Sequence, residues 1–197
     1  MNDGISNRVA KMDRAIFKKL AELGAAEFQH LNGPLIAHLE GTYQFLKDWG
    51  NRQELCRAGL YHAVYGTVAF DKILVSVAKR HQIADVIGKE AENIVYYYSA
   101  CDRDNLYVQI GQSDEINYRN RFTGNTEILT RAMLSDLLEL TLANELEIVT
   151  NDRAFLEKQR SWYENLFSRF EKYVSRPAYQ SYLSIFRPNS SMGEAGT

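Results

Sequence analysis

Apolar side chains recur every three to four positions along most of the chain, the spacing that gathers them on one face of an α-helix. Glycine and proline mark several boundaries of this pattern. Gly24 and Gly50 each follow a patterned stretch, and Pro34 suits the first position of a helix. We therefore predict an all-α fold with helices over residues 8–23, 34–48, 51–64, 71–80, 81–87, 88–101, 128–148, 152–173 and 177–186.

Two short stretches alternate apolar with polar residues instead. They are residues 106–111 and 115–122, and the Gln-Ser-Asp sequence between them is typical of a turn. We predict a small β-hairpin here, inserted into the helical domain. Such an insertion often covers a pocket or forms a dimer contact.

The chain has the size and the composition of one folded domain. It has 197 residues, of which 45% are apolar and 24% charged, the balance of an ordinary globular protein. We place the domain at residues 1–186, with C-terminal helices over 152–186. The polar tail, residues 187–197, is expected to be disordered.

Charge and motifs exclude several classes of protein. A net charge of −2 without a long basic run argues against a nucleic-acid partner. No apolar run reaches the roughly 20 residues that cross a bilayer, and the polar N-terminus is unlike a signal peptide. The chain lacks a glycine-rich phosphate loop, so we expect no nucleotide cofactor. We expect a cytoplasmic protein with a small-molecule substrate; a homodimer is the default assembly.

The histidines are the first candidates for chemistry. Of the four in the chain, His30, His38 and His62 fall in the first third, and the last two lie on neighbouring predicted helices. Ala58 and Gly59 stand just before His62, and small residues let two helices approach closely. We therefore predict that His38 and His62 face each other between the helices.

The segments that carry these histidines, PLIAHLEGTYQFLKDWG and CRAGLYHAVYGT, resemble the HD-domain superfamily. Members of that superfamily are helical bundles that hold divalent metals with a histidine, a later His-Asp doublet and a distant aspartate. More narrowly, the patterns H-L-x-G-T-Y, A-G-L-x-H-x-x-Y-G-T and A-N-E-L-E are similar to an uncharacterised bacterial family of HD-like domains. The resemblance covers about residues 26–150 and implies an HD-like bundle with that stretch as its core.

The chain departs from the HD pattern at two ligands. Ala63 stands where the aspartate of the doublet is expected, and Asn144 stands where the distant aspartate is expected. Hard divalent ions prefer charged oxygen ligands, so both departures weaken a metal site. Three histidines with a water form an established open site for a catalytic metal, which here means His38, His62 and His30.

Two hypotheses follow. In the first, these histidines bind Fe, Mn, Zn or Co, and the protein is a small-molecule enzyme, foremost a metal-dependent hydrolase, with an oxygenase as the variant that HD-like relatives imply. His38, His62 and Asn144 are then the catalytic set. In the second, the metal is lost, His62 is a buried structural histidine or a metal-free acid–base group, and the domain binds a small molecule or a protein partner without catalysis.

Other residues are candidates for substrate binding. Tyr65 and Thr67 follow His62 closely and could line the pocket mouth, although Gly66 between them is explained equally well by a helix end. Asp102 could replace a lost carboxylate and Arg103 could bind an anionic substrate, although a charged run is more often a solvated loop. His30 completes the predicted substrate-binding set.

Overall fold

A computed structural model of the chain describes residues 14–30, 33–68 and 70–186. In chain order its elements are α1 (residues 14–22), β1 (Gln29–His30), β2 (Gly33–Pro34), α2 (Leu35–Asp48), α3 (Gln53–Tyr61), a 3-10 turn (Val77–Lys79), α4 (Arg80–Ile87), α5 (Lys89–Ala100), α6 (Arg103–Gln109), β3 (Asn117–Arg119), β4 (Thr126–Ile128), α7 (Arg131–Asn151), α8 (Arg153–Phe167) and α9 (Arg176–Phe186). The fold is all-α with a small antiparallel hairpin, as the sequence predicts. The predicted disordered tail, 187–197, lies outside the described residues.

Side-chain caps set where three helices begin. Asp102 accepts a hydrogen bond from the backbone N–H of Asn105 at 3.2 Å and starts α6. Asp152 does the same for α8, with the N–H of Phe155 at 2.9 Å. A capping oxygen satisfies one of the N–H groups that the first turn leaves without a partner. Thr130 caps α7 in the same way, with the N–H of Met133 at 3.2 Å. The observed starts of α7 and α8 lie three and one residues after the predicted ones, whereas no helix was predicted at α6.

The hairpin exists, and the predicted strand 115–122 contains β3, but the other predicted strand, 106–111, was wrong. Residues 106–111 belong mostly to α6, and the true strands are β3 and β4, in which Tyr118 lies opposite Glu127. Leu106 and Ile110 are both buried, and their spacing of four residues fits one face of a helix. Alternation over only six residues cannot be distinguished from a helical face, and the Asp102 cap favours the helix.

Two other predicted elements differ from the observed ones. Residues 71–76, predicted as helix, form an irregular segment, and Ser76 then caps the short 3-10 turn through the N–H of Ala78. The helix predicted to run to residue 173 ends at Phe167. After it the chain turns tightly, with Phe167 and Phe170 both fully buried in the core.

Glycines allow α2 to lie close to its two neighbours, α3 and α7. A Cβ atom on Gly59 of α3 would lie 2.4 Å from Cδ1 of Leu46 on α2. On the other side, a Cβ atom on Gly41 of α2 would lie 2.6 Å from Cγ of Glu147 on α7. Both distances are below van der Waals contact, so this packing requires glycine at both positions. The sequence prediction that small residues bring these helices together is confirmed at Gly59.

The longest helix, α7, is the centre of the bundle and buries charged groups as well as apolar ones. Glu139 is 4% exposed, and its carboxylate accepts hydrogen bonds from the backbone N–H and the hydroxyl of Ser175 and from Asn51. Asp136 pairs with both terminal nitrogens of Arg52 at 2.6 Å. Buried charges are stable when such partners satisfy them. In the described chain, no helix has both the length and the apolar character needed to cross a bilayer.

Candidate functional site

His38 and His62 meet between α2 and the end of α3. Their ring centroids are 5.2 Å apart and the ring planes are close to perpendicular, at 83°. Both side chains are buried, with 5% of His38 and 3% of His62 exposed. The structure therefore brings these two rings together, as the helical spacing and the small residues predict.

His38 is held between two oxygen atoms of α7. Its Nδ1 is hydrogen-bonded to Oε2 of Glu147, and its Nε2 lies 3.0 Å from Oδ1 of Asn144. The amide nitrogen of Asn144 donates to Glu145 at 3.0 Å, which directs the amide oxygen towards His38. The two oxygens hold the His38 ring in one orientation against α7.

His62 is held differently, with one nitrogen fixed by the backbone. Its Nδ1 lies 2.7 Å from the carbonyl oxygen of Gly59, so Nδ1 donates. Its ring also stands edge-on to that of Tyr98, with 5.5 Å between centroids. In the neutral ring this leaves Nε2 as the basic nitrogen.

Both histidines line a cavity of about 430 Å³. Its wall contains five of the residues that the sequence singled out for function, and the rest of the lining is mainly apolar. The lining residues are Gln29, Leu35, His38, His62, Ala63, Thr67, Phe70, Arg103, Asn144, Glu145, Ile148 and Phe155. The predicted residues His38, His62, Thr67, Arg103 and Asn144 therefore share one cavity.

A short loop closes one side of this cavity. Thr67 is buried, and its hydroxyl accepts from the N–H of Phe70 at 3.1 Å. Arg121, from the segment after β3, donates to the carbonyl oxygen of Gly66 at 3.2 Å and to that of Ser99 at 2.7 Å. The guanidinium of Arg121 thereby ties the loop to the end of α5.

Arg103 supplies a cation to the cavity wall. Its guanidinium carbon lies 4.6 Å from the centroid of the Tyr98 ring. Among the described residues it has no hydrogen bond or ion pair with a side chain or the backbone. Burial alone lowers the pKa of Arg103, but the oxygens of Tyr98, Tyr107 and Glu145 raise it overall, so the group stays charged. The pKa of the nearby Arg121 is lowered, first by burial and then by the charge of Arg103.

Two predicted substrate-binding residues do not line the cavity. Tyr65 is buried elsewhere: its hydroxyl donates to Glu92 at 2.8 Å, and Arg80 pairs with the same carboxylate. Asp102 is occupied as the cap of α6 and lies 3.8 Å from Arg119. Their placement at the pocket was wrong, because each has a nearer polar partner. The side chain of His30 lies outside the described residues.

Glu147 has a place in the site that the sequence did not predict. Only 12% of its side chain is exposed, and it is the partner of Nδ1 of His38. One signal was available: Asn144 and Glu147 are three residues apart on α7 and share a helical face. Gly41, which makes room for Glu147, was also passed over.

The described residues do not fit a metal. Among them, no group of three or more His, Cys, Asp or Glu side chains could hold a metal ion. His38 has both ring nitrogens engaged by Glu147 and Asn144, and coordination would displace one of these bonds. Ala63 offers no ligand atom at the doublet position. The three-histidine set stays a prediction, because it needs His30.

Comparison with known proteins gives a partial match. Residues 19–103, less than half of the chain, match a family described as a domain of unknown function, DUF6817. No curated protein and no solved structure matches the chain. The match carries no activity, and the likeness to the HD-domain superfamily stays a prediction.

Proposed function

We propose that the cavity binds a small organic anion with its charged group against Arg103, and that His62 acts on the bound molecule as a metal-free acid–base group. The observation that carries the proposal is the position of Arg103. Its cation stands in the cavity wall without an ion-pair partner in the described chain. A bound anion would compensate the positive charge of the Arg103 guanidinium.

Arg103 is half-buried, so its cation is partly removed from water without an ion-pair partner in the described chain. Removing a charge from water is unfavourable unless a partner compensates it. The face of Tyr98 offers a cation–π contact, which is worth about 0.5–2 kcal/mol and so offsets only part of that cost. The planar guanidinium also matches a carboxylate or a phosphate through two parallel hydrogen bonds.

His62 is the better placed of the two histidines for proton transfer. The bond from its Nδ1 to the carbonyl oxygen of Gly59 fixes the tautomer, so the lone pair of the neutral ring is on Nε2. His38 is instead fixed on both nitrogens by α7, so its role here is to orient the neighbouring ring. The chemistry that this pair supports is proton transfer at an atom of the bound anion, the step that a hydrolysis needs.

The metal-dependent hydrolase or oxygenase implied by the HD resemblance is the competing hypothesis. The donors in the described residues do not favour it, so no step of the proposal passes through a metal. The hypothesis of binding without catalysis shares the ligand site with the proposal and differs from it only in the role of His62.

The test is a titration with propionate, followed by ligand-observed NMR, on the wild-type protein and on Arg103→Gln. We expect saturable binding to the wild type and at least a tenfold loss in Arg103→Gln. Arg119→Gln is the matched control, because Arg119 is exposed and lies outside the cavity wall. Equal affinity in wild type and Arg103→Gln, or no saturable binding to either, would contradict the proposal.

A further inference from the structure

A second cavity, of about 340 Å³, lies beside the first. The two share three wall residues, Arg103, Glu145 and Phe155. Arg103 therefore stands at the junction of an inner cavity that contains the histidines and an outer cavity that does not. A ligand whose charge is bound at Arg103 can extend into either one.

The outer cavity is lined by tyrosine and tryptophan side chains, which the inner one lacks. Tyr107, Trp162 and Tyr163 line it. The Trp162 ring lies 4.9 Å from that of Tyr163 and 6.3 Å from that of Tyr107, between centroids. Trp162 is 50% exposed, although a ring of this size gains strongly from burial. A flat apolar group of a ligand would cover it.

We propose that the anion bound at Arg103 is an aromatic monocarboxylate, whose carboxylate pairs with the guanidinium and whose ring lies beside Trp162 in the outer cavity. This inference rests on the proposed function of the inner cavity and names the class of ligand. The carboxylate satisfies the cation at the junction, and the ring fills the aromatic wall that α6 and α8 form around it.

The charges around Arg103 favour one negative charge on the ligand over several. Glu145 stands in the shared wall, and Asp104 is an exposed residue of the outer wall. Both oxygens of Glu145 accept hydrogen bonds, one from Asn144 and the other from the hydroxyl of Tyr163 at 2.7 Å. Burial and the charge of Glu145 raise the pKa of Tyr163, so this phenol stays a donor. A polyphosphate would face two carboxylates with one cation to bind it.

The experiment compares three probes that differ by one group each. They are 3-phenylpropionate, propionate, which lacks the ring, and 3-phenylpropan-1-ol, which lacks the charge. The protein carries Trp49→Phe, so that Trp162 is its single tryptophan and its fluorescence reports on the outer cavity. Trp49 lies outside both cavity walls and bonds to Ser181 of α9.

We expect 3-phenylpropionate to bind at least tenfold more tightly than propionate or the alcohol and to change the fluorescence of Trp162. In a protein that also carries Trp162→Ala, 3-phenylpropionate should bind at most about threefold more tightly than propionate, and the affinity for propionate should not change. Trp162→Phe should keep most of the preference for 3-phenylpropionate over propionate. Circular dichroism is the control that both variants are folded, which we expect because Trp162 is half-exposed.

The outcomes separate the inference from the proposed function. If propionate binds through Arg103 but the phenyl ring adds no affinity, or adds it equally in Trp162→Ala, the aromatic class is wrong and the anion site remains. If pyrophosphate binds more tightly than 3-phenylpropionate, the monoanion is wrong. If no carboxylate binds at all, the proposed function fails as well.

Discussion

The carboxylate of Glu147 accepts a hydrogen bond from Nδ1 of His38 across the interface between α7 and α2. The contact depends on Gly41, one helical turn after His38, because a Cβ atom there would lie 2.6 Å from Cγ of Glu147. One face of α7 thus reaches His38 twice, through Glu147 and through Asn144. The orientation of the ring is set by packing between two helices and not by its own helix.

Replacing Gly41 by alanine tests this arrangement. We expect Gly41→Ala to lower the free energy of unfolding by about 1–3 kcal/mol, because the new methyl group displaces Glu147. In a Glu147→Ala background the obstruction is gone, and alanine should be neutral or stabilising by up to about 1 kcal/mol, since it forms helix better than glycine. Urea unfolding measures both values. Glu40→Ala, on the exposed face of α2, serves as the control.

The position of Tyr65 leads to a second prediction. Its hydroxyl donates to the buried carboxylate of Glu92, so Tyr65→Phe should cost about 1–2 kcal/mol of stability. Because Tyr65 is not in the cavity wall, the affinity for propionate should not change. Chemical denaturation and the NMR titration give the two numbers. If Tyr65→Phe bound propionate more weakly but kept its stability, Tyr65 would take part in ligand binding and this prediction would be wrong.

The tautomer of His62 can be observed directly. The bond to Gly59 predicts that the neutral ring carries its proton on Nδ1. A long-range ¹H–¹⁵N NMR spectrum at mildly alkaline pH distinguishes the two tautomers. His81 is exposed and gives an internal reference for an unconstrained ring. A neutral His62 ring protonated on Nε2 would put the basic nitrogen, Nδ1, against the carbonyl oxygen of Gly59 and would contradict the proposed role of Nε2.

Buried hydroxyl and thiol groups predict a loss of stability in alkali. Burial raises the pKa of Tyr98 and of Cys101 to about 12 each. Between the unfolded values and pH 12 the unfolded chain releases protons that the folded chain retains, so the free energy of unfolding falls as the pH rises. Each unit by which the pKa of a group differs between the folded and unfolded chain changes the free energy of unfolding by roughly 1.4 kcal/mol. Burial also raises the pKa of six further tyrosines: Tyr61, Tyr65, Tyr97, Tyr107, Tyr118 and Tyr163.

Urea unfolding at a series of pH values between about 8 and 11 measures this effect. The phenolate absorbance that these buried tyrosines contribute should appear together with unfolding. A stability that stays constant over that range would mean that these side chains are already exposed to water in the folded protein.

Removing metals separates the two functional hypotheses. For the metal-free proposal, dialysis against a chelator should leave both the thermal midpoint and the affinity for propionate unchanged, because no described residue depends on an ion. Differential scanning fluorimetry before and after dialysis measures the midpoint. The three-histidine site would instead be supported if dialysis lowered the thermal midpoint, if Fe, Mn, Zn or Co restored the midpoint, and if His30→Ala showed no such dependence on metal.

The meeting of His38 and His62 could be predicted because it depends on local properties. Helical spacing turns both rings inward, and Gly59 lets the helices approach. The role of Glu147 could not be predicted in the same way. A carboxylate on a helix face is exposed or buried according to what the facing helix presents, and here that is the missing side chain of Gly41.

Side-chain direction was the other limit of the sequence analysis. Tyr65 follows the pocket histidine closely in the chain, but its hydroxyl is bound by Glu92, which is 27 residues later. The hairpin shows the same limit for the backbone. The short alternation at 106–111 fits a strand and a helix equally, and the Asp102 cap before it favours the helix.

The two-sided construction of the histidine cavity has a consequence for tracing this site in other proteins. The stretch that matches the family of unknown function, 19–103, contributes both imidazoles, the guanidinium and most of the other lining residues. Asn144, Glu145, Ile148 and Phe155 come from α7 and α8, so a chain that aligns only over 19–103 lacks that side of the cavity wall. A relative that binds the same ligand should also have the counterparts of Asn144 and Glu147, three residues apart on a later helix. It should have a glycine at the position of Gly41, one turn after the first histidine.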